Sequence, residues 1–163
     1  MTIDAFIKPA AYPGTGGGMI VFRGDDRGGF DPYFLRMNSD GRVEWAVSNA
    51  SNAFSSVQSQ ILPLNVFTHV TATLDDSTGQ QTLYINDAFA ASAITNVRPF
   101  GTLQGDQNPG FSIGNHNRYA PFIHNFPFNG AIDEVKIFNS VVPEPSSVLA
   151  LCFLVAASCR RSR

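Results

Sequence analysis

Residues 67–86 read FTHVTATLDDSTGQQTLYIN, and this stretch decides the fold class. Apolar and polar side chains alternate over residues 67–75, and Leu83 and Ile85 fall on one face of a second run. Alternation with a period of two is typical of a half-buried β-strand. The run DSTG at residues 76–79 consists of turn formers, so the stretch predicts two antiparallel strands joined by a turn.

The same pattern recurs along most of the chain. The tight-turn signal Ser39-Asp40-Gly41 separates two further alternating runs. Besides the central pair, the pattern predicts strands at residues 3–8, 19–23, 33–37, 42–48, 54–58, 89–93, 111–114 and 128–139. No stretch before the tail has a sustained 3.6-residue apolar period. We therefore expect an all-β fold of two packed antiparallel sheets, with Trp45 and Phe67 suited to the space between them.

The charge balance excludes one class of partner. Charged residues make up only 15% of the chain, and the formal net charge is −2. Residues 142–163 carry +2, which leaves about −4 on residues 1–141. A mildly acidic body has no basic stripe for phosphates, so we expect no binding to nucleic acid. Both cysteines, Cys152 and Cys159, lie in the tail, so the body has no internal disulfide.

Four segments in order resemble the laminin-G-like jelly-roll family of concanavalin A-like lectins and glucanases. TIDAFIKP at residues 2–9 is similar to the family's early strand, and FTHVTATLD at residues 67–75 to its Trp-Thr-His-Val-Ala segment. LYIND at residues 83–87 resembles the family's Leu-Tyr-Val-Asn-Gly segment. FNGAIDEVKIF at residues 128–138 resembles the family's closing strand, Phe-x-Gly-x-Ile-Asp-Glu-Val. The resemblance implies a jelly-roll sandwich over residues 1–141. Family members begin with one more strand, so we expect the first strand to be missing and the start to fall inside a longer protein.

Residues 142–163, VPEPSSVLALCFLVAASCRRSR, form a separate tail. It resembles the bacterial PEP-CTERM sorting signal, whose motif and basic end are here Pro143, Glu144, Pro145, Arg160, Arg161 and Arg163. The resemblance implies a short apolar helix, transient anchoring in the inner membrane, an exosortase-type sorting enzyme as partner, and export to the cell envelope or extracellular surface. The apolar run is about a dozen residues, short of the roughly 20 that span a bilayer. The alternative is a frayed amphipathic or a buried C-terminal helix.

Catalytic chemistry has little support in the sequence. Related jelly rolls include glucanases, which need paired carboxylates on one face of a strand. Asp133 and Glu134 are adjacent and would point to opposite faces of a regular strand. The three histidines, His69, His116 and His124, form no metal-ligand spacing. We therefore expect a protein that is not an enzyme.

A calcium ion at the rim of the sandwich is a possibility that the family resemblance raises. The candidate ligands are Asp25, Asp26 and Asp133, with Asp31 and Asp106 as further carboxylates. Calcium takes six to eight oxygen ligands, and no compact Asp-x-Asp-x-Asp run supplies them. The alternative role for Asp133 is a buried carboxylate that accepts backbone hydrogen bonds from a neighbouring loop.

The candidate carbohydrate site is the loop that contains Asn115, His116, Arg118 and Tyr119. Amides, a guanidinium and aromatic rings suit sugar hydroxyls and ring faces, and Trp45 offers a platform if it faces outward. The alternative is an ordinary polar loop. The leading hypothesis is lectin-like recognition of a glycan, exopolysaccharide or extracellular matrix. The second is a purely structural surface or matrix protein without a small ligand, and the third is a glucanase-like glycosidase.

Overall fold

The computed structural model describes residues 1–25, 31–107, 109–116 and 125–142. These residues form ten strands: β1 (Thr2–Pro9), β2 (Gly18–Gly24), β3 (Tyr33–Met37), β4 (Arg42–Ser48), β5 (Phe54–Ile61), β6 (Thr68–Leu74), β7 (Gln80–Ile85), β8 (Ala88–Ile94), β9 (Gly110–Ile113) and β10 (Gly130–Phe138). Each lies where the sequence predicts a strand. None of the described ranges contains a helix long and apolar enough to cross a membrane. The tail helix expected after residue 142 lies outside these ranges.

The strands form two antiparallel sheets of five strands each. One sheet has the order β10-β1-β6-β7-β8, and the other β5-β4-β3-β2-β9. Alternate residues of each strand face the other sheet, and the most buried of these form one continuous core that includes Ile3, Val21, Leu35, Val70 and Leu83. The predicted antiparallel jelly-roll sandwich is confirmed. Along one long side of the sandwich the two sheets close on each other, because the edge strand β5 contacts β7 and β8 of the other sheet.

Trp45 crosses the space between the two sheets. Its side chain is fully buried, and its indole N–H donates to the backbone carbonyl of Thr73 on β6 at 3.1 Å. A buried Trp must find an acceptor for its N–H, and here that acceptor belongs to the opposite sheet. The predicted core position of Trp45 is therefore confirmed, and its alternative role as an exposed sugar platform is wrong.

Gln81 provides a second polar link between the sheets. Its side-chain amide is fully buried and donates from Nε2 to the backbone carbonyl of Trp45 at 3.0 Å. Its Oε1 accepts the hydroxyl hydrogen of Ser55 on β5 at 2.7 Å. Because Gln81 lies on β7 and both partners lie on the other sheet, these bonds fix the position of one sheet on the other.

Phe67 does not fill the space between the sheets, so that prediction is wrong. Its side chain is 49% exposed, and the Nζ of Lys8 lies 5.6 Å from the centre of its ring. The reason is strand parity. Val70, Ala72 and Leu74 face the core, whereas Phe67 shares the outward parity of His69.

The final strand is irregular in its middle. Its register against β1 shifts between Asp4 and Phe6, and Glu134 adopts a positive φ of 48°. One extra residue in the strand therefore forms a β-bulge. At its start, a Cβ on Gly130 would collide with the backbone carbonyl of Lys8, so the two strands approach each other closely there.

His69 joins three elements on the outer face of the first sheet. Its Nε2 lies 2.8 Å from a carboxylate oxygen of Asp4 on β1, and its Nδ1 lies 2.9 Å from one of Asp87 in the β7–β8 turn. The ring also stacks on Phe6, with centroids 4.6 Å apart. Burial lowers the pKa of His69, but the hydrogen bonds and charges of the two carboxylates together outweigh it and raise the pKa above its ordinary value.

The buried amide of Gln81 gives a stability prediction. In a Gln81→Leu variant the size is retained, but the buried carbonyl of Trp45 and the half-buried hydroxyl of Ser55 lose their partner. We expect the free energy of unfolding to fall by about 1–3 kcal/mol, measured by chemical denaturation. Gln80→Leu, at the half-buried neighbouring position, is the control and should change stability much less. Equal effects in the two variants would contradict a structural role for the Gln81 amide.

The His69 contacts give a pH prediction. A raised pKa means that the folded state binds the proton more tightly than the unfolded state. The stabilisation is therefore complete below about pH 6.5, the ordinary histidine pKa, and is lost as the pH rises through the folded-state pKa. The stability difference between the natural chain and His69→Gln should thus be larger at about pH 6 than at about pH 9. A difference that does not change with pH would show that the imidazolium contributes nothing.

Candidate functional site

One end of the inter-sheet space carries polar side chains instead of core residues. Val21 on β2 pairs with Leu35 on β3, and both are fully buried in the core. Two residues further along β2, Arg23 pairs with Tyr33. Because side chains two residues apart on a strand share a face, Arg23 and Tyr33 also face the opposite sheet, beyond the edge of the core.

These two residues line an open cleft of about 360 Å³. The volume falls within the usual range of small-molecule sites. The walls come from both sheets and from the segment after β8, and the lining residues are Met1, Arg23, Tyr33, Pro99, Phe100, Gly101, Ile137, Phe138 and Asn139. A second hollow of about 390 Å³ shares Met1, Pro99 and Asn139 with the cleft. The site is thus a groove with one cationic side chain and an aromatic rim.

The guanidinium of Arg23 is the charged side chain among the described residues that line the cleft. Its Nη2 donates to the backbone carbonyl of Gly101 at 2.8 Å, which holds the side chain against the loop. None of the ion pairs between described residues includes Arg23. No carboxylate in the described part of the chain therefore forms an ion pair with this guanidinium.

Tyr33 contributes a phenol beside this cation. Burial raises the pKa of its hydroxyl above the ordinary value, and the nearby charge of Arg23 opposes that rise. The phenol therefore stays protonated at neutral pH and can donate a hydrogen bond. Its ring lies 6.1 Å from that of Trp45, so the core fixes its position.

The cleft combines groups that suit an acidic sugar. A guanidinium binds a carboxylate through two parallel hydrogen bonds, and a phenol binds hydroxyl groups. Phe100 and Phe138 supply apolar ring surface at the rim. Neither Asp nor Glu is among the described residues that line this cleft, and Asp76 lines the adjoining hollow.

Part of the predicted carbohydrate loop has a structural role. Asn115 Oδ1 accepts the backbone N–H groups of His116 at 2.8 Å and Phe126 at 2.9 Å, and its amide donates to Asn125. The ring of His116 is buried, with its centroid 3.9 Å from that of Phe22. These contacts tie together the two ends of the segment that contains Arg118 and Tyr119, which lie outside the described residues. Ligand binding by this loop stays a prediction.

Two of the predicted calcium ligands use their carboxylates on the protein itself. Asp25 is 3% exposed, and its Oδ2 accepts the backbone N–H of Gln104 at 2.7 Å. Asp31 Oδ1 accepts the backbone N–H of Asp25 at 3.0 Å, and its Oδ2 lies 3.8 Å from His116 Nε2. Within the described ranges no three His, Cys, Asp or Glu residues are grouped to hold a metal. Calcium binding by Asp25, Asp26 and Asp133, of which Asp26 lies outside those ranges, stays a prediction.

The remaining candidate carboxylates lie elsewhere. Asp133 is exposed on β10, in the sheet opposite to β2, which Asp25 follows, and its Oδ1 accepts the backbone N–H of Glu134. It is therefore not the buried carboxylate expected as the alternative. Asp106 is exposed in a turn of the 95–109 segment.

Arg23 and Tyr33 were not among the candidates from sequence. One signal was available: Arg23 has the same parity as the apolar Val21 and so places a charge on the inner face of β2. The sequence does not show the register that pairs Arg23 with Tyr33. Nor does it show that Phe100 and Phe138, from distant segments, line the same cleft.

Solved structures with a similar fold include carbohydrate-binding modules. The CBM40 domain of the Ruminococcus gnavus IT-sialidase, solved with α2,3-sialyllactose, superposes with a TM-score of 0.71 at 16% identity, over 91% of this chain and 80% of that one. The leech intramolecular trans-sialidase gives 0.71 at 18% identity, over 91% of this chain and 22% of that one. The binding domain of Paraclostridial Mosquitocidal Protein 1 gives 0.64 at 18% identity, over 92% and 36%. At these identities the likeness shows the fold alone.

Sequence comparison identifies the family. No curated protein sequence matches the chain. The Laminin_G_3 family description, however, matches residues 1–146, which is most of the chain and includes all ten strands of the sandwich. The chain therefore belongs to the Laminin_G_3 family of the concanavalin A-like lectin/glucanase superfamily.

Proposed function

We propose that this chain is a non-catalytic glycan-recognition domain whose cleft binds a sugar that carries a carboxylate. The observation that carries the proposal is the placement of Arg23, a cation without an ion-pair partner among the described residues, in a groove with Tyr33 and an aromatic rim. The fold is that of domains solved with sialyllactose, which supports a carbohydrate as the ligand class.

The binding mode follows from the chemistry of the groups. The guanidinium of Arg23 would pair with the sugar carboxylate, and Gly101 already holds it in position. Tyr33 would donate to a ring hydroxyl or to the carboxylate itself. Phe100 and Phe138 would cover an apolar face of the sugar ring, as aromatic side chains do in polar binding sites. An open groove admits the end or the middle of a longer glycan.

A glycan array tests the proposal with the full chain, kept in mild detergent because its tail is apolar. We expect saturable binding to sialylated or uronic acid glycans and none to the matched neutral glycans. Arg23→Gln should weaken that binding by about tenfold or more, because it removes the charge-assisted pair. Arg42→Gln is the matched control, since Arg42 already pairs with Asp40 at 3.3 Å outside the cleft.

Tyr33→Phe separates the contribution of the Tyr33 hydroxyl from that of its ring. The variant keeps the packing against Trp45 and loses only the hydroxyl, so circular dichroism should show an unchanged fold. We expect the affinity for the acidic glycan to fall by about threefold to tenfold, the value of one hydrogen bond. Titration calorimetry measures it, and an affinity equal to that of the natural chain would remove Tyr33 from the site.

The same folded chain also tests the two other hypotheses, a structural surface protein and a glycosidase. A folded chain that binds no glycan with or without calcium would favour a purely structural surface protein. Release of reducing ends from a β-glucan would favour a glycosidase. No Asp or Glu lies among the described residues that line the cleft, which supports binding over hydrolysis at this site.

We further propose that residues 142–163 direct the domain to the cell surface through an exosortase-type enzyme. The support is the order of Pro143-Glu144-Pro145, an apolar run and a terminal arginine cluster. An exported reporter fused to residues 142–163 should be processed in bacteria that contain an exosortase and accumulate in the membrane of cells that lack it. Replacing Glu144 with alanine should reduce processing, whereas replacing Ser162 should not.

A further inference from the structure

The ring of His69 contacts a carboxylate at each of its two nitrogens. Its Nε2 lies 2.8 Å from Oδ2 of Asp4, and its Nδ1 lies 2.9 Å from Oδ1 of Asp87. A neutral imidazole has one N–H and can donate to one of these carboxylates, whereas the imidazolium has two. The geometry therefore requires the protonated ring, because a neutral ring would turn a nitrogen lone pair toward one of the carboxylates.

The two carboxylates do not depend equally on His69. Asp4 also accepts the hydroxyl hydrogen of Thr71 at 3.0 Å, and its side chain is 18% exposed. The side chain of Asp87 is 47% exposed, and among the described residues its carboxylate contacts only the His69 ring. An unpaired carboxylate costs more when it is buried than when it faces water. A neutral ring therefore keeps its proton on Nε2, toward Asp4, and Asp87 loses its partner.

Asp87 occupies a strained position in the turn between β7 and β8. This turn consists of Asn86 and Asp87, whose φ angles of 50° and 63° are both in the left-handed region. Glycine suits the second position best, because a Cβ makes the left-handed conformation unfavourable. The contact with the His69 ring offsets that strain. The turn is also bound to the backbone of β6, since the N–H of His69 donates to Asn86 Oδ1 at 3.0 Å and the N–H of Asn86 donates to the His69 carbonyl at 2.9 Å.

No other described cation takes the place of the imidazolium. The further ionisable side chains on this outer face are Lys8 on β1, Tyr84 on β7, and Asp133 and Lys136 on β10, the last two brought to one face by the bulge. Lys136 forms its ion pair with Glu134 at 3.1 Å, and the Nζ of Lys8 lies over the ring of Phe67. Within the described ranges, the ion pairs of Asp4 and Asp87 are with His69 alone.

We propose that the β7–β8 turn is a pH-sensitive switch, in which the imidazolium of His69 holds Asp87 in place and the loss of its proton to water releases the turn and the start of β8. Among the described strands β8 pairs only with β7, and apart from Phe89 and Ile94 its side chains are those of alanine and serine, so few contacts oppose its movement. Burial lowers the pKa of His69, but the two carboxylates raise it above the ordinary value. The turn is thus closed at low pH and opens as the pH rises through the folded-state pKa.

NMR spectroscopy of the full chain in mild detergent tests the switch. The ring signals of His69 report its protonation, and hydrogen exchange of the Asn86 amide reports the turn. After correction for the pH dependence of exchange in an unstructured peptide, the Asn86 rate should rise by about tenfold or more once His69 is neutral, because a charge-assisted contact is lost. The amide of Ala72, in the middle of β6, is the internal reference and should stay protected.

Two variants test the proton count. Asp87→Gly removes the carboxylate and supplies the residue that the turn favours, so the titration midpoint of His69 should fall and Asn86 exchange should no longer follow it. Asp4→Asn supplies an amide that can donate to Nε2, so the neutral ring can keep its proton on Nδ1 and the turn should stay protected above the midpoint. Asp40→Gly, at an exposed position of the β3–β4 turn in the other sheet, is the matched control and should change neither measurement.

The outcomes separate a local switch from general unfolding. Faster exchange at Asn86 alone, lost in Asp87→Gly and prevented by Asp4→Asn, supports the proposal. Faster exchange at Asn86 and Ala72 together would indicate unfolding of the whole domain and overturns it. So does Asn86 exchange that does not follow the His69 titration, or an Asp4→Asn variant whose turn opens as in the natural chain. Circular dichroism of each variant shows that the domain remains folded.

Discussion

The rest of the structure depends on the polar link across the sandwich at Trp45. Apolar burial between two sheets is non-directional and would tolerate sliding of one sheet over the other. The indole N–H to Thr73 and the amide of Gln81 to the Trp45 carbonyl are directional, and both cross the interface. Since each would be costly to leave unpaired in the core, they select one position of the sheets. That position determines where the core ends and the cleft begins.

The two long sides of the sandwich are not equivalent. On one side β5 packs against β7 and β8, and the sheets close on each other. On the other side β9 and β10 leave Ile113 and Ile137 half exposed. The open side explains why a groove exists beside Arg23.

The functional proposal relies on the site more than on the fold. Sandwiches of this superfamily carry many unrelated functions, so the fold by itself assigns none. An arginine held by Gly101 beside a protonated phenol is a specific chemical arrangement, and it suits a carboxylated sugar. Asn115 and His116, which the sequence suggests as part of a sugar site, also hold the ends of a loop together, and ligand binding by that loop stays a prediction.

The sequence by itself determined the strands, their turns and the two-sheet architecture, because side-chain alternation and turn chemistry are local properties. It also contained the parity that faces Phe67 outward and Arg23 inward. Only the tertiary structure decided which strands are neighbours, and therefore that Arg23 meets Tyr33, that His69 lies between Asp4 and Asp87, and that a bulge aligns Asp133 with Lys136. Register depends on contacts between residues far apart in the chain, and no local pattern encodes it.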